Sequence, residues 1–183
     1  MAKDEPAPLT GKERSQQLAL ERRAARLAAV QALYQWDQTG GKADAIVAEF
    51  STHRISRAAA ADTVGSDASM APADRKLFAE IVRGVAGDVS EIDDMLAAVL
   101  SDDWQVDRLE SILRAVMRAG AYELAHRLDV PPKVVISEYI AVADAFFGDK
   151  ETAMAHGVLD RLAHELRPAE MVAGGSRGNP TAR

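Results

Sequence analysis

Between Val106 and Leu128 the apolar residues Leu109, Ile112, Leu113, Val116, Met117, Ala121, Leu124 and Leu128 recur at helical spacing. That period gathers them onto one side of an α-helix and scatters them on a strand. The stripe is broad, and Glu110, Arg114 and Arg118 line another side at steps of four. An apolar face of this width has to be covered by other elements. Gly120 lies inside the stripe, where it costs about 1 kcal/mol of helix propensity relative to Ala, and a close helix crossing accounts for it there.

The same period runs through the rest of the chain. A first helix places Leu20, Leu27, Val30 and Tyr34 on one packing side and stops near Thr39-Gly40-Gly41. A second runs from Asp44 past Phe50, with Ile46, Val47 and Phe50 inward, and the weakly patterned stretch near 52–71 reads as an insertion with a surface loop. Order resumes at Pro72 with Leu77, Phe78, Ile81, Val82 and Val85, after which Asp88-Val89-Ser90-Glu91 resembles a capping box. The fourth helix carries Ile92, Met95, Leu96, Val99 and Leu100, and Ser101-Asp102-Asp103 breaks it. Val130-Pro131-Pro132 separates the long helix from a sixth, marked by Val135, Ile136, Tyr139, Ile140, Ala143, Phe146 and Phe147. Asp149 caps a seventh, with Met154, Val158, Leu162 and Leu166 inward, which Pro168 ends. About seven helices and no strand predict an all-α bundle. A body over 16–168 divides into 16–87 and 88–168, between a disordered arm at 1–15 and a disordered tail at 169–183.

The chain is 48% hydrophobic and 27% charged, the balance of a globular protein rather than a disordered one. It contains no cysteine, which excludes a disulfide framework and any thiolate metal site. No apolar run approaches the roughly 20 residues that span a bilayer, and Met1 to Gly11 has no signal-peptide core, so the sequence reads as cytoplasmic, with no membrane partner.

Catalytic chemistry finds no foothold. A phosphate-binding glycine loop, a dinucleotide fingerprint and a cysteine nucleophile are all missing from the sequence. The pairs Asp93-Asp94 and Asp102-Asp103 point to different faces or sit in a turn, which favours capping and solvation over acid–base work. His156, Asp160 and His164 share a four-residue spacing, but a zinc site recruits ligands from a second element, and a solvated or core-edge histidine explains them better. The expectation is a non-enzyme without cofactor or metal.

Charge is the more informative signal. The formal net charge is −6, yet residues 11–26 hold Lys12, Arg14, Arg22, Arg23 and Arg26 against Glu13 and Glu21, so this end carries +3 and the remainder −9. A polyanion is expected at the N-terminal end, and a basic protein elsewhere. Two readings of Arg22, Arg23 and Arg26 stand side by side. They form surface ion pairs worth about 0 to 1 kcal/mol each, or they grip phosphates with Tyr34 or Trp36 as a stacking platform.

The run Arg22-Arg23-Ala-Ala-Arg26-x-x-Ala-Val-Gln-Ala-Leu-Tyr34-x-Trp36 resembles the opening helix of the NusB family of bacterial transcription antitermination factors. Three further segments agree in order and spacing: Phe78-x-x-x-Val82-x-Gly84-Val85, Leu113-Arg114 through Gly120-Ala121-Tyr122-Glu123-Leu124 to Pro131, and Lys133-Val134-Val135-Ile136-Ser137-Glu138 leading to His156-Gly157-Val158-Leu159-Asp160. The resemblance implies two three-helix-bundle-like halves. It also implies pairing with NusE, a small ribosomal-subunit protein, binding of single-stranded boxA-type RNA, and work within an antitermination complex on RNA polymerase that supports complete ribosomal RNA transcription. Carried over by position, Arg22, Arg23, Arg26, Tyr34 and Glu110 are the expected RNA-binding residues. Three arginines on single-stranded phosphates give a salt slope of only about 2, so the NusE-type partner supplies further surface. The chain departs from the family pattern at Ala24, in the longer segment from Thr52 to Ala71, and at Met154-Ala155-His156 where the pattern has Phe-x-Asn. The alternatives are a helical adaptor or homodimer, and a relative of the N-terminal domain of ribosomal RNA cytosine methyltransferases, the latter lacking here its cofactor-binding domain.

Overall fold

The computed structural model describes residues 10–55, 73–101 and 104–173. The expected insertion beyond residue 55, Pro72, the Asp102-Asp103 pair, and the outer parts of the expected arm and tail lie outside these residues. Helix α1 spans Gly11–Thr39 and begins at a capping box, the Thr10 hydroxyl accepting from the Glu13 N–H while the Glu13 carboxylate accepts from the Thr10 N–H at 2.8 Å. Helical structure therefore starts inside the stretch read from sequence as an arm. Gly40 ends α1 at φ 63°, a left-handed conformation that glycine adopts without a Cβ clash. Helix α2, Ala43–Glu49, widens into a π turn over Phe50–Ile55.

Helix α3, Arg75–Gly87, starts at Asp74, whose carboxylate accepts from the N–H groups of Lys76 and Leu77. Helix α4, Val89–Val99, lacks the expected capping box. Asp88 makes no side-chain cap because its N–H closes α3 on the Gly84 carbonyl, which holds the residue at φ −112°, ψ 23° instead of the extended backbone an N-cap needs. A 3₁₀ turn, Val106–Arg108, precedes α5, Ser111–His126. The predicted 106–128 helix is thus shorter at both ends, and Leu128 lies in the following turn at 68% exposed. Helix α6 is Pro132–Asp144 and α7 is Asp149–Leu166. Gly148 rather than Asp149 occupies the cap position of α7, without a side-chain bond. Pro168 ends α7 as expected, but it also opens α8, Pro168–Ala173, which buried Met171 anchors to the body.

Helix α5 forms the centre: Ala115 to Leu124 is buried without a break. A helix covered on all sides has no purely polar face, so Arg118 and Glu123 are drawn inside with their partners. Two glycines set the crossings. A Cβ on Gly84 of α3 would overlap the Tyr122 ring, and one on Gly120 would lie 2.9 Å from Leu159 Cδ2 of α7 and 3.4 Å from Tyr139 Cδ2 of α6. The close crossing expected at Gly120 is present. Fully buried Ala25, Ala29 and Ala32 let α1 approach closely, whereas Leu20, expected in the core, is 50% exposed because that stretch of α1 outruns the body. One apolar cluster runs from α1 to α8. Among the described residues there is no strand, and no helix is long and apolar enough to cross a membrane.

Candidate nucleic-acid interface

From Thr10 to Leu20 only Gln17 is even partly buried, so the start of α1 is a helix in solvent rather than a packed element. Its basic residues reach the body at Arg22, and there their fates diverge. Arg22 is exposed, and its charge adds to the pull that holds the Asp129 carboxyl at about 2, of which the hydrogen bond from Arg127 is the larger part. Arg23 donates from Nε and Nη2 to the two oxygens of Glu138, at 3.3 and 2.9 Å, and this bonding strengthens its hold on its proton. Arg26 faces inward at 3% exposed. It meets Glu123 through two 2.8 Å hydrogen bonds, and the Tyr139 O–H donates to the same carboxylate at 2.8 Å. Burial opposes the Arg26 charge, but the bonds and charge of Glu123 outweigh it. Of the three arginines expected to contact RNA, the structure thus places Arg26 inside, as an anchor fixing α1 to α5 and α6, and Arg22 and Arg23 at the surface.

The remaining expected residues lie farther along. Tyr34 is 39% exposed and lines a groove of about 510 Å³ with Val30, Gln31, Gln38, Ile112 and Phe146, the last 42% exposed. It lies eleven residues after Arg23, close to three full turns, so both face the same side of α1, toward α6. Trp36 is half-buried and borders a different recess with Lys42, Asp44 and Arg83. Glu110 caps α5, accepting from the N–H groups of Ile112 and Leu113 at 2.9 and 3.1 Å. Its neighbour Ser111 accepts from Gln38 at 3.1 Å, which places Glu110 beside the C-terminal end of α1. Sixteen residues of helix, roughly 24 Å, separate Arg22 from Gln38. Four of the five expected residues therefore lie along α1, and Glu110 beside its C-terminal end.

Below this surface, Asp37 joins α1 to α5 and α4. It accepts from Arg114 and, at 2.9 Å, from Arg118, which also grips Asp93 with two 2.7 Å bonds. Arg114 further donates to the Asp107 and Leu109 carbonyls, holding the 3₁₀ turn. Burial alone would raise the Asp37 pKa, but the two arginines bring it below its ordinary 3.8. A depressed folded-state pKa stabilises above the unfolded value and is lost as pH falls through the folded one. Asp37→Asn is accordingly expected to cost about 2 kcal/mol at pH 7, and the gap between the two proteins should narrow as pH falls below 3.8, as read by urea melts at descending pH. A constant gap across that range would contradict the linkage.

The other candidates hold no comparable site. His164 turns Nδ1 onto the Asp160 carbonyl at 2.9 Å, His156 is exposed, and among the described residues no group of three or more His, Asp or Glu is placed to hold a metal ion. Asp93 of the first aspartate pair is bonded to Arg118.

The model of the NusB family matches residues 23–164. The chain belongs to the NusB family. Transcription antitermination protein NusB of Bradyrhizobium diazoefficiens is 46% identical over 165 residues, covering 90% of this chain and 93% of the relative. The protein of that name from Rhizobium leguminosarum bv. trifolii is 44% identical, covering 85% and 93%. Among solved structures, T. maritima NusB superposes with a TM-score of 0.65 at 28% identity, over 83% of this chain and 96% of that one. A structure of antitermination factors NusB and NusE in complex with double-stranded RNA has the same fold at TM-score 0.60 and 20% identity, covering 78% and 96%. The family match begins at Arg23, so the solvent-exposed start of α1 precedes it.

Sequence reasoning passed over Glu123, Glu138 and Phe146 as site residues. Glu123 carried a signal, a lone acid near the end of a long apolar stripe, whose burial requires a cation. Glu138 sits on an otherwise ordinary amphipathic helix and carried none.

Proposed function

We propose that this protein is an RNA-binding transcription antitermination factor that works with a NusE-type ribosomal protein on boxA-type RNA, in support of ribosomal RNA transcription. The observation that carries this reading is the seam along α1 that runs from exposed Arg23, beside Glu138, to the groove lined by Tyr34 and Phe146, with exposed Arg22 next to Arg23. Cations at one end hold phosphates, and two half-exposed rings at the other offer a surface for unstacked bases. Glu110, engaged as the cap of α5, lies beside the C-terminal end of α1. Family membership supports the antitermination role, and alignment over 93% of a curated relative favours it over kinship to a methyltransferase domain. The assembly of NusB, NusE and RNA on this fold supports both partners. Because that RNA is a duplex, the test includes duplex and single-stranded forms.

Fluorescence titration of boxA-type RNA across a salt series, with and without NusE, decides the matter. Arg22→Ala is expected to lower the salt slope by about 0.7 and to weaken binding roughly fourfold near 0.15 M salt, one phosphate contact being lost. Binding that ignores both NusE and Arg22→Ala would sink the reading.

A further inference from the structure

The exposed end of the seam contains an acid where phosphates are expected. Glu138 has its side chain 17% exposed and both oxygens engaged: Oε1 takes Arg23 Nη2 at 2.9 Å, and Oε2 takes Arg23 Nε at 3.3 Å and lies 3.8 Å from Arg26 Nη1. Arg26 is already neutralised by Glu123. The four groups Arg23, Glu138, Arg26 and Glu123 thus alternate in sign from surface to core and sum to zero. Of the Arg23 guanidinium, one bidentate edge is occupied, and a carboxylate occupies the same fork geometry that a phosphate would. Arg23 itself stays 58% exposed, so a ligand reaches it without any backbone movement.

We propose that Glu138 is an affinity-setting residue of the RNA interface, a built-in carboxylate that competes with phosphate for Arg23. This rests on the RNA-binding reading above. In the free protein the Nε–Nη2 edge is closed to a phosphate, and any phosphate drawn toward Arg23 meets a carboxylate beside it. Removing the Glu138 charge frees that edge and leaves Arg26 paired, so the surface gains one unopposed cation without an unpaired charge in the core. An acid at this position holds down sequence-independent attraction to RNA, the repulsive element that specificity requires alongside the attractive ones.

The test measures RNA affinity and salt slope for wild type, Glu138→Gln, Arg23→Ala and the double variant, with thermal melts confirming folding and Glu138→Ala as a second probe. Glu138→Gln is expected to tighten binding by up to about fivefold, the equivalent of an exposed ion pair of about 1 kcal/mol, and to raise the slope by about 0.7. Both gains should vanish in the Arg23→Ala background. Unchanged or weaker binding by Glu138→Gln and Glu138→Ala overturns the proposal, as does a gain that survives Arg23→Ala, which would mark a general charge effect. If wild type binds no RNA at any salt, the functional reading fails and this proposal with it; if wild type binds and the variants do not differ, only this proposal fails.

Discussion

Arg26→Ala is expected to destabilise the protein by about 3–5 kcal/mol, because it strands a carboxylate with no exposed surface. Glu123 would keep only the Tyr139 hydroxyl as a partner, at 2.8 Å. In water the carboxylate would be solvated; between α1, α5 and α6 it cannot be. Glu123→Ala should cost less, because Arg26 keeps the Glu138 carboxylate 3.8 Å from Nη1. The combined replacement Arg26→Met, Glu123→Leu, Tyr139→Phe removes the buried hydrogen-bonded set together and leaves Glu138 with Arg23, and it should recover most of the loss, since a buried ion pair is frequently matched by apolar residues of similar volume. Urea denaturation of the four proteins tests this. A triple variant less stable than Arg26→Ala would show that the pair contributes more than mutual neutralisation. The result bears on function too: an RNA-binding defect in Arg26→Ala would reflect a displaced α1, and should disappear from the salt slope when only folded protein is counted.

Gly84→Ala is expected to cost about 2–3 kcal/mol despite the roughly 1 kcal/mol that alanine gains in helix propensity. The added methyl would overlap the ring of Tyr122, which lies only 9% exposed and stacks on His126 with centroids 4.7 Å apart. The ring has to move, and α3 with it. Tyr122→Leu should rescue the variant by vacating the overlap, so the double variant should melt above Gly84→Ala alone. Failure of that rescue would place the cost elsewhere on α3.

Much of the fold could be read from the spacing of apolar residues. The buried sides of α2, α3 and α4 follow Ile46, Val47, Leu77, Phe78, Ile81, Ile92 and Leu96 as their period predicts. Misreadings arose where periodicity says nothing about what lies opposite. Leu20 continues the pattern of α1 into a region where no neighbour covers it, and Leu128 continues that of α5 after the backbone has left the helix. The arginine cluster shows the same limit for charge. Three positions within five residues look alike in sequence, yet a rotation of 100° per residue separates an exposed Arg22, a partnered Arg23 and an internal Arg26. Only the positions of Glu138 and Glu123, more than 90 residues away, decide which is which.

That distance also sets an order of events during synthesis. Arg26 and Glu123 are 97 residues apart, and Tyr139 comes later still. At 5–20 residues per second, roughly 5 to 20 s pass between the appearance of α1 and that of its anchor. Throughout that interval Arg23 and Arg26 lack the carboxylates that partner them in the completed fold.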